Sequence, residues 1–305
     1  MFRKLYIMKK NELVSVIIPT YNRSARILLS VKSVLNQTYS NIELIVVDDG
    51  STDDTVQKLN KIHDDRLIVL QQTNQGACAA RNLGIEHARG KYIAFNDSDD
   101  TWKKIKLEEQ IEKLHEKNAD LVFCKLIMHK EKQMDVVPHD FNEGYLSPNS
   151  NVIGISTQTI MGKADIFKKN KFDVEMPRLQ DAELMIRLIS KYKIYCIDEG
   201  LVNYGIWQDS ISNNPIKLNQ AVNLILKKYP KLFSEHKNIY YKLKEITYGA
   251  AKMALKNGEK QKAKLFFKTL EKFNSKSTFK KYYEHIRNKI LLTSTDFIFK
   301  MYKKE

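Results

Sequence analysis

Tyr92-Ile-Ala-Phe-Asn-Asp-Ser-Asp-Asp100 places a short apolar run directly before three carboxylates within four residues. The run has the composition of a buried strand, and it ends on a polar cluster. Like charges this close repel one another, so the cluster is either a solvated turn or a seat for a hard divalent cation that takes oxygen ligands. What lies around it decides. Working outward, Val14 to Ile18, Leu44 to Val47 and Leu67 to Leu70 are further β-branched runs, while Ile27 to Leu35, Thr55 to Ile62 and Ala77 to His87 carry helical spacing. Asn41 and Gly90 mark the return to strand. This alternation predicts an α/β chain with a Rossmann-like, mostly parallel sheet flanked by helices. In such sheets the ligand lies at the carboxyl ends of the strands. Here those ends carry Thr20-Tyr21-Asn22-Arg23, Asp48-Asp49-Gly50-Ser51 and the Asn96 to Asp100 cluster, which favours a site over a turn.

The chain has 305 residues, 43% of them apolar, enough for a domain of a couple of hundred residues with an appendage. No run reaches the roughly 18 apolar residues of a membrane span, and Met1 to Lys10 lack the apolar core of a secretory signal. A cytoplasmic protein is therefore expected. Cys78, Cys124 and Cys196 lie far apart with no His in metal spacing, so they read as reduced, buried thiols, and the seven His show no ligand spacing. The net charge of +15 is unevenly spread. Residues 211–305 hold 22 Lys and Arg against 7 Asp and Glu, which leaves 29 of each sign in residues 1–210. Two modules are expected, a sheet domain at 1–210 and a basic helical region at 211–305. From Tyr240 two lysine-rich helices flank Asn257-Gly258, with Ile246, Ala250, Met253 and Ala254 predicted to face Ala263, Phe266, Phe267 and Leu270. A last amphipathic segment covers Ile286 to Tyr302.

Val14-Ser-Val-Ile-Ile-Pro-Thr-Tyr-Asn-Arg23, Ile45-Val-Val-Asp-Asp-Gly-Ser-Thr-Asp53, Gly76-Ala-Cys-Ala-Ala-Arg-Asn-Leu-Gly84 and Asp97-x-Asp99 follow one another in an order that resembles the family 2 glycosyltransferases. The resemblance runs from about Leu13 to Ser212. It implies a GT-A fold and inverting sugar transfer from a nucleotide diphosphate donor to a glycan, often lipid-linked, in capsule or lipopolysaccharide synthesis. By resemblance Asp49 takes the N3–H of uracil, Thr20 and Tyr21 line the base, and Arg23 and Arg81 belong to the donor site. Asp97 contacts the ribose, and Asp99 holds Mn²⁺ or Mg²⁺ on the diphosphate. Asp181, in Gln180-Asp-Ala-Glu-Leu184 ahead of a helical run from Met185 to Ser190, takes the role of catalytic base. Two places depart from the pattern. Trp102-Lys103-Lys104 stands where relatives often have a proline, and Trp207 stands where relatives often have a nearby His that supports the metal. Metal binding would then rest on Asp99, the diphosphate and water.

The residues read alone give alternatives. A carboxylate accepts from uracil N3–H and cytosine has no such proton, so Asp49 favours a UDP-sugar or a thymidine donor. One of Asp48, Asp49, Ser51 and Thr52 could instead cap the helix that starts at Thr55. Tyr21 could be a packing residue, and Asp181 and Glu183 could do no more than favour the positive end of their helix. Glu175 and Glu183 are reserve candidates for the base. A nucleotidyltransferase would want a glycine-rich phosphate loop, and Pro19 to Arg23 contain no glycine. A non-catalytic sugar-binding module would have no use for the base. Nucleic acid is not an expected partner, because spaced lysines without a reading motif are solvated faces. The basic tail instead suits an anionic membrane surface, with the protein peripheral on the inner face, or a second subunit in a homo-oligomer.

Overall fold

The computed structural model describes residues 12–130, 133–205 and 214–273. The chain divides into two compact units, Met1–Asn213 and Asn214–Glu305, and each is taken by itself.

In the first unit the chain runs β1 (Val14–Thr20), α1 (Ile27–Leu35), β2 (Ile42–Asp48), α2 (Thr55–Leu59), β3 (Leu67–Gln71), α3 (Ala77–His87) and β4 (Tyr92–Phe95). Every residue of β1, β2 and β4 is buried, the signature of strands covered on both faces. Helix α1 buries Ile27, Ser30, Val31 and Val34, one face at helical spacing. Helix α3 lies so close to β1 that a Cβ on Gly84 would stand 2.5 Å from Cγ2 of Ile17. Helix α2 stops at Leu59 instead of Ile62. There the chain closes in single turns, Asn60 N–H to the Val56 carbonyl at 3.0 Å and Ile62 N–H to the Leu59 carbonyl at 3.0 Å.

Beyond β4 come β5 (Thr101–Trp102), α4 (Lys106–Glu116), β6 (Leu121–Lys130), β7 (Gln133–Val137), β8 (Gly144–Tyr145), β9 (Ile160–Lys163), α5 (Ala164–Lys169), α6 (Gln180–Leu188) and β10 (Ile194–Tyr204). Among the described residues ten strands form one sheet, in the order β3-β2-β1-β4-β9-β6-β10-β5 with β7 on β6 and β8 on β10. The first four strands are all parallel. Past β4 the sheet is mixed: β9 runs antiparallel to both β4 and β6, β6 and β10 are parallel, and β5 returns antiparallel on β10. The α/β class holds, with the parallel character confined to the first half and the β6–β10 pair. Because β2 and β4 flank β1 on opposite sides, the strand order reverses there, and the crevice at such a reversal is where ligands bind. The three cysteines are buried and unpaired as expected.

The second unit is helical: α7 (Pro215–Lys228), α8 (Leu232–Glu235), α9 (Lys237–Lys256) and α10 (Lys260–Leu270). Asn214 starts α7, its Oδ1 accepting from the amides of Ile216 and Lys217, with Pro215 in the first turn. The predicted hairpin around Asn257-Gly258 is present. Its contact face differs from the expected one, since α9 buries Leu243, Thr247, Ala251 and Ala254 while Met253 is 61% exposed and Ile246 and Ala250 are half-buried. Thr247 was missed because apolarity alone was followed. Its hydroxyl donates to the Leu243 carbonyl at 2.6 Å, which lets a polar residue sit on the packed stripe. On α10, Ala263, Phe266 and Leu270 are buried as predicted, and Phe267 is half-buried. Among the described residues no helix is long and apolar enough to cross a membrane. The segment from Ile286 to Tyr302 lies outside the described residues, as does Trp207.

Candidate active site

The carboxyl end of β1 turns at Asn22, whose φ of 50° is one that asparagine tolerates better than most side chains. Backbone and side chains then stitch this loop to the end of β2. Asn22 N–H donates to Ser51 Oγ at 2.8 Å, Thr52 N–H to Asn22 Oδ1 at 2.8 Å, Arg23 N–H to Thr55 Oγ1 at 2.9 Å and Ser24 N–H to Asp53 Oδ2 at 3.1 Å. Asp48 is buried and accepts the Ser51 N–H at 3.0 Å. The N-cap of α2 is none of the four residues expected but Asp54, which makes no side-chain cap hydrogen bond, and one residue earlier the Oδ1 of Asp53 accepts the Thr55 N–H at 3.0 Å. Burial by itself would raise the Asp53 pKa, but the hydrogen bonds from Thr55 and Ser24 carry it down to about 2.

Asp49 is buried between these loops and the end of β3. Its Oδ1 accepts Gln72 Nε2 at 2.7 Å and Gln75 N–H at 2.8 Å, and its Oδ2 accepts Gly76 N–H at 2.8 Å. A carboxylate offers about four lone-pair sites, so three bonds leave room for one more N–H. Gly76 opens a motif of the sequence, but Gln72 and Gln75 carry no signal there, although they follow β3 and the same edge rule applies to its end. Tyr21 stands 43% exposed at the end of β1, and the Thr20 hydroxyl is buried without a hydrogen-bond partner among the described residues.

The three carboxylates after β4 part company. Asp97 accepts Arg81 Nη2 at 2.7 Å, and Asp99 lies 3.7 Å from Arg23 Nε. Asp100 turns inward, where its carboxylate accepts Gln158 Nε2 and Gly205 N–H, each at 2.8 Å. Burial, together with the charges of Asp97 and Asp99 and against the Gly205 N–H, pushes its pKa up to about 8. Burial and the charge of Asp97 likewise raise Asp99, against the guanidinium groups of Arg23 and Arg26. Asp100 thus ties the cluster to the end of β10, and Asp99 is the carboxylate that fits a hard cation. Its pKa is raised by burial first and by the Asp97 charge second, and a bound cation would act against both. Among the described residues no three His, Cys, Asp or Glu side chains gather to hold a metal, so further ligands would come from substrate and water.

Arg81, on α3, joins the two halves of the unit. It is 5% exposed, 5.4 Å from the Phe172 ring centroid, and donates from Nη2 to Asp97 and from Nη1 to Gln180 Oε1 at 3.1 Å. Its Nε is buried without a hydrogen-bond partner among the described residues. The next residue, Asn82, exchanges two 2.8 Å hydrogen bonds with the backbone of Phe172, which pins the chain leading to α6 against α3. Asp181 lies within the first turn of α6 and not ahead of its helix, and that helix ends at Leu188, short of Ser190. Burial raises the Asp181 pKa and Asp97 adds to the effect, while the Ala182 N–H and Arg81 oppose it. Glu183 is buried and bonded through both oxygens to Arg187 at 2.9 Å, which removes it as a reserve base. Glu175 is exposed, its N–H donating to Asp173 at 3.0 Å. Lys103 and Lys104 are exposed, so the departure after Trp102 stays on the surface as read.

A family model described as glycosyl transferase family 2 matches residues 15–174. An uncharacterised glycosyltransferase of Rickettsia conorii is 38% identical over 195 residues, 62% of this chain and 32% of that one, so the chain spans about a third of this relative. The Escherichia coli UDP-Glc:alpha-D-GlcNAc-diphosphoundecaprenol beta-1,3-glucosyltransferase WfgD is 33% identical over 256 residues, 81% of this chain and 98% of the relative. The crystal structure of S. aureus TarS 1-349 in complex with UDP-GlcNAc superposes with a TM-score of 0.60 at 19% identity, over 85% of this chain and 91% of that one. At that identity the likeness speaks for the GT-A fold alone.

Proposed function

Because the chain belongs to glycosyl transferase family 2, we propose that it moves a sugar, with inversion, from a UDP-sugar to a hydroxyl of a lipid-linked glycan in the synthesis of a surface polysaccharide. The observation that carries this reading is the path Asp97, Arg81, Gln180, which sets the helix of Asp181 beside the donor edge. Asp49 has one acceptor position to offer a uracil N3–H, and Tyr21 an exposed ring to offer the base. The WfgD name specifies a UDP-sugar donor and a lipid diphosphate acceptor, and TarS was crystallised with UDP-GlcNAc, which favours the same donor class here.

In the reaction Asp181 takes the proton of the acceptor hydroxyl as that oxygen attacks the anomeric carbon, and the nucleoside diphosphate leaves from the opposite face. Burial raises the Asp181 pKa from its ordinary value, the direction that makes a carboxylate a stronger base. Arg81 holds Asp97 in place at the donor edge. Asp99 would hold a divalent cation, which when bound offsets the charge that develops on the diphosphate. UDP should raise the melting temperature in Mn²⁺ and much less in EDTA, because a ligand of the folded state stabilises it by mass action. Asp99→Asn should remove the Mn²⁺ dependence with the unliganded melt unchanged. Equal stabilisation by UDP in EDTA and in Asp99→Asn would exclude the metal role.

A further inference from the structure

Arg81 is surrounded by protein, and its two terminal nitrogens point to two different parts of the chain. One meets Asp97 in the loop after β4, the other meets Gln180 at the start of α6. Gln180 is itself held from behind, its Nε2 donating to the Met176 carbonyl at 3.3 Å. The residue before it, Leu179, has φ 57° and ψ 34°, a left-handed conformation that a branched apolar side chain adopts only when its surroundings impose it. Leu179 also brings no capping side chain to the helix. The first turn of α6 therefore starts from a strained residue without a side-chain cap, and the Gln180 side chain ties it both to Arg81 and to the Met176 carbonyl. The next residue along is Asp181.

We propose that Gln180 is a positioning residue of the transferase site: through Arg81 it locks the first turn of α6, and so Asp181, to the loop that carries Asp97. The proposal rests on the transferase reading above. A glutamine suits this task because its amide oxygen accepts from a guanidinium without adding charge. A glutamate would accept as well, yet would put a further negative group beside Asp97 and Asp181. The groups that face Asp181 are the Arg81 and Arg178 guanidinium groups, the Asp97 carboxylate and the Cys78 thiol, which burial pushes up to about 12 and so keeps neutral.

Gln180→Ala and Gln180→Met both remove the acceptor, the second with little loss of volume. Each should lower kcat about tenfold or more while the Kd for UDP stays within about twofold, since a hydrogen bond to a charged group is worth a factor of roughly ten to a hundred. Gln180→Glu should restore the rate at high pH, with the acid limb of the kcat profile shifted upward by the added charge. In a double-mutant cycle Gln180→Ala should cost no more than about twofold once Arg81→Ala is present. A kcat within twofold of wild type in Gln180→Ala, a parallel loss of UDP affinity, or additivity with Arg81→Ala would each overturn the proposal. So would failure of both acceptor-free variants to fold, which would make Gln180 a stability element. Hydrogen exchange needs no turnover and separates this proposal from the transferase reading. Amides in the first two turns of α6 should exchange about tenfold faster in Gln180→Met, with β1 and β2 unchanged. Unchanged exchange in α6 would sink the proposal even if sugar transfer were proven, and faster exchange would sustain it even if the donor assignment failed.

Discussion

The parallel half of the sheet and the mixed half do their work differently. At the edge of β1, β2 and β3 the polar residues are already busy with one another: Asp48 holds Ser51, Asp53 holds the Thr55 N–H, and Asp49 collects three N–H donors from the far loop. The groups offered to a nucleotide are the same groups that hold the loops together. In the mixed half the division is sharper. Asp100 and Glu183 are spent on structure, with Gln158, Gly205 and Arg187 as partners, while the Asp181 carboxylate accepts the neighbouring Ala182 N–H at 2.8 Å. On the proposed function, binding and folding would be coupled on one side, and chemistry separable from folding on the other.

The sharpest way to break this contrast is Asp181→Asn. Turnover should fall by roughly 10² or more with UDP affinity and melting temperature nearly unchanged, because the amide keeps the shape and cannot take the proton. Stopped assays with radiolabelled donor and calorimetric binding on the same protein check both halves of that statement. Near-normal turnover would move the base elsewhere.

A second test probes a cost paid only in the mixed half. Lys106 is fully buried at the start of α4, its ammonium 3.7 Å from the Trp102 ring centroid and donating to Gln110 Oε1 at 2.7 Å. Burial pushes its pKa down from 10.5 to about 8. Below about pH 8 both the folded and unfolded chains carry the proton, and the folded state bears the full burial penalty. Between about 8 and 10.5 only the unfolded chain keeps it, so stability should rise with pH in that window. Denaturant unfolding of wild type and Lys106→Met, compared across it, should differ in slope. The total change attributable to the lysine is about 3 kcal/mol, and parallel curves would show that the ammonium is not penalised.

Asp49→Asn addresses the coupled side. An amide nitrogen must face one of the three N–H donors, which should cost about 1–3 kcal/mol of stability. UDP should bind about tenfold more weakly at the same time. Urea denaturation and calorimetry together decide; loss of binding at full stability would uncouple what the hydrogen bonds join.

The smallest effect concerns the second unit, since all the net charge lies after Ser210. Each lysine near an anionic surface contributes about 1 kcal/mol, within a Debye length of about 8 Å. The protein should sediment with phosphatidylglycerol-containing vesicles, be released by high salt, ignore neutral vesicles, and lose binding on truncation before Ile286. Equal binding to both vesicle types, or none, would leave the tail as a packing or assembly element.

Local signals explain what was legible. The helices Ile27 to Leu35 and Ala77 to His87 end where their periodicity ends, because each buries one face, and the strand Tyr92 to Phe95, covered on both faces, ends where its apolar run gives way to Asn96. The edge bearing Thr20, Asp49, Asp97 and Asp99 followed from those strand ends. The partners of those residues did not. Gln72, Gln158 and Gln180 are uncharged and carry no spacing of their own, and they reach Asp49, Asp100 and Arg81 across 23, 58 and 99 positions. Periodicity has nothing to say about such distances. For the same reason Asp99 and Asp100 look alike in sequence, although one faces the site and the other is folded inward.

The tight seat of Gly84 against Ile17 makes that glycine a lever on a reaction it never touches. It stands one turn beyond Arg81 on α3, so any side chain there must displace either Ile17 or the helix that carries the guanidinium. A screen that scores growth or glycan output would therefore flag position 84 alongside the residues that handle the sugar. An assay of folding alone would record only a dented helix, and the gap between the two scores would measure how far a backbone contact can steer chemistry.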